Sequence, residues 1–355
     1  MLLPRVTHST VLSAPEIKKI VKAYHSLKAF LPFCSESYLI TGRTSFNSKY
    51  PGVSSPLHLP VVTTTRSPVR LFTPFFSFEM SDRQLPSHPV ILSMEVCSRD
   101  DSEYRILIEG QVKYLTIAPG TYDRQTLSMP FGSLPSLPKE GKWNMAHISR
   151  DLATSELKAA LRSMALAGVR DTWHPTSVNC LELLRMRQLT AATFEASCPT
   201  QDSLALPTSV TRVIAKIARF EWEIPRIERE TRAYRILENT GIAPRFLGHI
   251  HEHGRVMGLV LEKVEGRPAT IEDLSHCRSV LQHLHDHGLL HGDINRYNFI
   301  VQNSTVRLID FERSQTCPGD TESMQNEMTS LCSQLMEETG RGGGFRFVEE
   351  TCKKT

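Results

Sequence analysis

Apolar residues recur at different spacings along this chain, and the change of spacing divides it. Ile17, Ile20, Val21, Tyr24 and Leu27 repeat at helical intervals. With Ser13 and Glu16 in a capping-box pattern and Pro15 in the first turn, they predict a short amphipathic helix over 13–31. Residues 32–88 are rich in Ser, Thr and Pro with weak periodicity, which predicts a mobile linker. YRILIE (104–109) and QVKYLTI (111–117) are β-rich runs on either side of Gly110, a hairpin pattern. A loop punctuated by Pro130, Pro135 and Pro138 follows, and LATSELKAALRSMALAG (152–168) reads as a helix. The expected organisation is therefore a largely mobile region with one short helix (1–88), a small β-rich region plus helix (89–177), and a third compact unit from about 178 to 345.

Within that third unit, two charges sit where apolar residues are expected. VIAKIA (213–218) is strand-like but centred on Lys216, and an ammonium buried without a partner is heavily unfavourable. Pro225 opens a helix running towards Gly241, with Ile227, Tyr234 and Leu237 as its apolar stripe. Glu230 shares that stripe, so its carboxylate points inward and predicts an ion pair with Lys216, whereas Glu228 projects elsewhere and is expected in solvent. EDLSHCRSVLQHLHDHG (272–288) is helical by spacing, with Leu274, Leu281 and Leu284 inward and Gly288 as its stop. FIV (299–301) and VRLID (306–310) flank the turn-like QNST, so a small hairpin returns Asp310 towards the HGDINRYN loop (291–298). Asp293, Asn298 and Asp310 then form an oxygen-rich cluster suited to Mg²⁺, with one carboxylate left to take a hydroxyl proton.

Composition excludes several classes. The 355 residues carry 41 basic and 38 acidic side chains, a balance that offers no electrostatic case for nucleic acid or an anionic membrane. No apolar run is long enough to predict a membrane span. The eight cysteines are scattered without a CxxC pair, which reads as reduced thiols. The first residues lack an apolar core, so secretion is not expected and residence is placed inside the cell, by default in the cytoplasm.

The arrangement resembles the protein-kinase-like superfamily, whose catalytic loop carries Asp-x-x-x-x-Asn and whose metal-binding Asp opens Asp-Phe-Gly. Here those segments read Asp293-INRY-Asn298 and Asp310-Phe311-Glu312. The resemblance covers about residues 178–340 and extends to kinase-like proteins common in filamentous fungal genomes. It implies an α+β, two-lobed fold, with an N-lobe at about 178–262 and an abbreviated C-lobe at about 263–345, preceded by a small β-containing region. It further implies that Asp293 accepts the substrate proton, that Asn298 and Asp310 hold Mg²⁺, and that Lys216, positioned by Glu230, contacts ATP phosphates. LVLEKVEG (259–266) falls at the hinge, placing Glu262 and Val264 beside the nucleotide.

Departures from the pattern shape the functional expectation. No Gly-rich loop precedes Lys216, so Thr190, Ala191, Ala192 and Thr193 would have to form the phosphate turn. Glu312 replaces the glycine after Phe311, and 45 residues follow Asp310. The loop reads HGD followed by Asn295, which resembles aminoglycoside and choline kinases. The expectation is an ATP- and Mg²⁺-dependent phosphotransferase acting on a hydroxyl acceptor, protein or small molecule; the alternative is a catalytically silent kinase-like binding module. His249, His251 and His253 alternate, and His283 and His287 are one turn apart, but neither set has a third ligand at zinc spacing. His291 reads as a structural loop residue.

Overall fold

The computed structural model describes residues 89–138, 141–197 and 212–343; the expected helix at 13–31 and linker at 32–88 lie outside the described residues. The first sheet contains β1 (Val90–Glu95), β2 (Ser102–Ile108), β3 (Gln111–Ile117), β4 (Met145–Arg150) and β5 (Leu157–Arg162), in that spatial order. The hairpin of β2 and β3 turns through Glu109–Gly110, both at positive φ, as two-residue turns between twisted strands require. One face buries Tyr104, Ile106, Leu115 and Ile117 against Trp143 and Ile148. A short helix, α1 (Arg124–Ser128), is capped by the Asp123 carboxylate, which accepts from Thr126 N at 2.7 Å.

The expected helix at 152–168 does not form. Asp151 Oδ1 accepts from the amides of Ala153 and Thr154, both at 2.9 Å, and Ser155 adopts φ 61°. The chain therefore reverses, and β5 pairs along β4 as an edge strand. The Leu- and Ala-rich composition favours a helix, but side-chain capture of these amides starts a turn instead.

The second sheet has the order β6-β10-β11-β9-β8-β7. Its strands are β6 (Ser177–Asn179), β7 (Leu184–Gln188), β8 (Thr193–Ser197), β9 (Val213–Ile217), β10 (Phe246–Glu252) and β11 (Arg255–Glu262). All neighbours are antiparallel except β6, which runs parallel to β10. Helix α2 (Ile224–Ile236) joins β9 to β10 and buries Ile227, Glu230 and Tyr234.

Beyond this sheet come β12 (Arg267–Pro268), α3 (Leu274–Asp286), β13 (Leu289–Leu290), β14 (Phe299–Gln302), β15 (Thr305–Leu308), β16 (Gln315–Thr316) and α4 (Thr321–Leu335). The β14–β15 hairpin turns at Asn303, φ 53°. Leu281 and Leu284 of α3 and Leu331 of α4 join Phe299 and Leu308 in one apolar core, which continues into the second sheet. The result is a mixed α+β chain with several sheets and few helices. Among the described residues, no helix is long and apolar enough to cross a membrane.

Candidate active site

Strand β9 sets Lys216 between Leu259 of β11 and Thr193 of β8, and its side chain is 9 % exposed. Its Nζ lies 2.6 Å from Glu230 Oε2, forms an ion pair with Asp310, and lies 3.4 Å from Glu312 Oε2. Burial alone would favour the neutral amine, but the Glu230, Asp310 and Glu312 carboxylates overcome it and hold the ammonium well above its ordinary range. Burial keeps the Glu230 carboxyl above the usual carboxylate range, because one ammonium is shared among three acids. Burial also opposes ionisation of Asp310, yet Lys216 outweighs it and holds this carboxyl below its ordinary range.

Asp310 occupies the left-handed region at φ 68° and ψ 63°, and its side chain is 37 % exposed. Phe311 anchors the joint, fully buried with its ring 5.4 Å from Tyr234 and 5.1 Å from His291. Arg229 Nε of α2 donates to Glu312 O at 2.8 Å, so the helix that carries Glu230 also grips the segment that carries Asp310.

The 291–298 loop is organised by its own amides. The Asp293 carbonyl accepts from Asn298 Nδ2 at 2.8 Å and Asn295 Nδ2 at 3.2 Å, while Asn295 Oδ1 accepts from Tyr297 N at 2.9 Å. That bond leaves Asn298 Oδ1 as an acceptor, and Ile309 N donates to Asn298 O at 3.0 Å, joining the loop to the residue before Asp310. The Asp293 carboxylate makes none of the hydrogen bonds found among the described residues. His291 is buried, its Nε2 pairing with Ile309 O at 3.0 Å, and burial pushes its imidazole below the ordinary range. Gly292 sits at φ +76°, and a Cβ there would lie 2.4 Å from Arg313 O. Glycine at this position thus follows from backbone packing and carries no information about the acceptor.

Glu327 of α4, absent from the sequence reading, holds this loop in place. Its carboxylate accepts from Gly292 N at 2.8 Å and His291 N at 3.1 Å, and pairs with His285 Nε2 at 2.8 Å. Burial alone would raise its pKa, but these contacts bring it below the usual range. The available signal was an acid four residues before Leu331, on the buried stripe of α4. Glu312 was likewise read as a departure from a motif, whereas it is a third acid facing Lys216.

Other expected residues are otherwise engaged. Glu262 closes β11, where its carboxylate accepts from Arg245 N at 3.2 Å and pairs with Arg307 Nη1 at 3.4 Å; its amide donates to Arg245 O. Val264 is half-buried in the linker that follows. The Thr190–Thr193 segment does form the β7–β8 turn, but Thr190 Oγ1 accepts from Ala192 N and Thr193 N, and Thr193 O accepts from Leu189 N and Thr190 N. Four amides of that turn are already satisfied. Glu228, expected in solvent, accepts from Arg170 N at 2.7 Å and Asp171 N at 3.2 Å, tying α2 to the segment ahead of β6. The His283 and His287 rings touch edge-on at 4.9 Å, with His287 Nδ1 against His283 O. Among the described residues, no group of three His, Cys, Asp or Glu side chains has metal-ligand geometry.

Residues 221–337 match the RIO domain. That family is kinase-like, and the match supports placing this chain at the coarse level of kinase-like, ATP-binding phosphotransferases. The matched stretch contains Glu230, Asp293, Asn298, Asp310 and Glu327, and begins just after Lys216. No curated protein matches the chain.

Proposed function

We propose that the chain is an ATP- and Mg²⁺-dependent phosphotransferase with a two-lobed core, its N-lobe at about 178–262 and its C-lobe at about 263–345. The observation that carries this reading is the convergence of Lys216, Glu230 and Asp310 beside a loop whose Asp293 carboxylate is uncommitted. Asn298 Oδ1 and the outer oxygen of Asp310 are hard donors fitting Mg²⁺, with phosphate and water completing its shell. Bound there, the ion would supply charge neutralisation at the phosphates. Lys216, kept protonated by its acids, would contact the phosphates. Glu230 would stop its side chain from swinging away. Val264 would pack on the base, with Glu262 contributing through main chain because its carboxylate is held by arginines.

In the reaction, the acceptor oxygen attacks the γ-phosphorus in line as the bond to the ADP oxygen breaks, and Asp293 takes the acceptor's proton. Most of the acceleration then comes from positioning and charge. A second reading, a silent kinase-like module, is favoured by the self-satisfied Thr190 turn, which has few amides left for phosphate. Thermal unfolding with ATP separates the two. A midpoint that rises with ATP only when Mg²⁺ is present supports the phosphotransferase, because a ligand that binds only the folded state stabilises it. No response to ATP with or without Mg²⁺ supports the silent module.

A further inference from the structure

The edges of the two large sheets are not alike. β1 pairs with β2 through a register shift between Ile91 and Ser93, and β7 pairs with β8 through one between Arg185 and Arg187. β6 has only three residues. Bulges and short strands blunt an edge against further pairing. β5 has neither protection: it pairs with β4 residue for residue, without a shift, and it ends its sheet.

Hydrogen bonding fixes which amides of β5 are spare. The carbonyls of Glu156 and Arg162 accept from Asp151 N at 2.8 Å and Asn144 N at 3.0 Å, so these residues turn their main chain towards β4. Met164, two residues on, bonds on the same side through the Asn144 side chain. Main-chain direction alternates along an antiparallel strand. Lys158 and Ala160 therefore face β4 as well, and Leu157, Ala159 and Leu161 present their N–H and C=O groups at the open edge. Among the described residues, no strand pairs with them there.

The residues along that edge are self-complementary. A second β5 running antiparallel must pair these odd positions with one another, since only their amides are spare. Centring the pair on Ala159 engages all three and sets Leu157 opposite Leu161 of the other copy. It also sets Glu156 opposite Arg162 at both ends, in the closer, non-hydrogen-bonded type of pair. Both side chains are exposed, and neither makes an ion pair among the described residues. Lys158 meets Ala160 of the other copy and is held by Asp151 of its own chain. Sliding the register by two residues sets Lys158 opposite either Arg162 or the second Lys158, and like charges oppose pairing. Leu161 is 37 % exposed, so the centred register also covers apolar surface. We infer that β5 is a pairing edge for a second copy of this chain, joined antiparallel about Ala159 in a two-fold dimer.

The test is sedimentation velocity of the full chain under reducing conditions, at concentrations up to about 1 mM. One strand pair is a small interface, so a dimer with a Kd on the order of 100 µM is expected. Ala159→Pro removes the central outward N–H while leaving the bonds to β4, and is expected to abolish the dimer. Glu156→Arg or Arg162→Glu alone sets like charges opposite one another and is expected to weaken it by about tenfold. Mixing those two variants restores opposite charges at both ends and is expected to return the wild-type Kd. A monomer at every concentration overturns the pairing and leaves the edge to a strand of some other protein. A dimer indifferent to Ala159→Pro, or a mixture no tighter than either charge variant alone, overturns it as well. Should Ala159→Pro not fold, the two charge variants, at exposed positions, decide.

Discussion

Lys216 faces Glu230, Asp310 and Glu312, and a single ammonium cannot neutralise three carboxylates. The buried member, Glu230, bears the cost of that shortfall, while the more exposed Asp310 is held below the usual carboxylate range. Lys216→Met strands the acids, so it should destabilise the fold by about 3–5 kcal/mol in denaturant unfolding. Pairing Lys216→Met with Glu230→Gln should cost little more than Lys216→Met alone, because the two groups share one interaction. Strict additivity would contradict the coupling. The Lys216–Glu230 pair was legible because a lysine in an apolar strand and a glutamate on an apolar helical stripe are each costly alone. Glu312 was not legible, since its role depends on the left-handed turn at Asp310 that swings it towards Lys216.

At the scale of elements, α2 and α4 each clamp one half of the site. Arg229 ties α2 to Glu312 O, and Glu327 ties α4 to the amides of His291 and Gly292. Glu327→Ala would free two amides and a buried histidine. It should cost about 2–3 kcal/mol and speed hydrogen exchange selectively at residues 291 and 292. Unchanged exchange there would show that the loop is held by its own Asn295 and Asn298 bonds. The β14–β15 hairpin, α2 and α3 could be read from periodicity because each has one clear apolar face. β5 could not, since an edge strand buries too little for its spacing to outweigh the helix propensity of Leu, Ala and Lys. The capture of two amides by Asp151 was the overlooked signal.

Across the whole molecule, the first sheet docks on the second through buried polar groups rather than apolar contact alone. Arg105 Nε of β2 donates to Glu252 Oε2 at 2.8 Å, and Tyr114 OH of β3 donates to Glu252 Oε1 at 2.6 Å, with Val112, Tyr114 and Phe220 packed alongside. Burial would raise the Glu252 pKa, but Arg105, the Tyr114 hydroxyl and Arg255 draw it down to about 2. A depressed carboxylate stabilises the fold above its unfolded pKa of 4.5, and this contribution is lost as pH falls from there through about 2. Acid unfolding of the wild type should therefore show about 3 kcal/mol lost over that window. Glu252→Gln should start less stable and lack that part of the slope. That the β-rich region packs on the unit after it was expected from the sequence, whereas the Arg105–Glu252 pair was not legible, because the two are 147 residues apart and each reads locally as a surface charge. The central claim, that the Asp293 loop and the Lys216 cluster together transfer phosphate, is tested most directly by incubating the full chain with γ-labelled ATP and Mg²⁺. Peptide libraries and small-molecule alcohols would be offered in parallel, comparing wild type with Asp293→Asn. The account predicts label in an acceptor with wild type, and none with Asp293→Asn even though that variant still shows the Mg²⁺-dependent ATP shift. Absence of label from every acceptor with wild type, or equal labelling by Asp293→Asn, would contradict it.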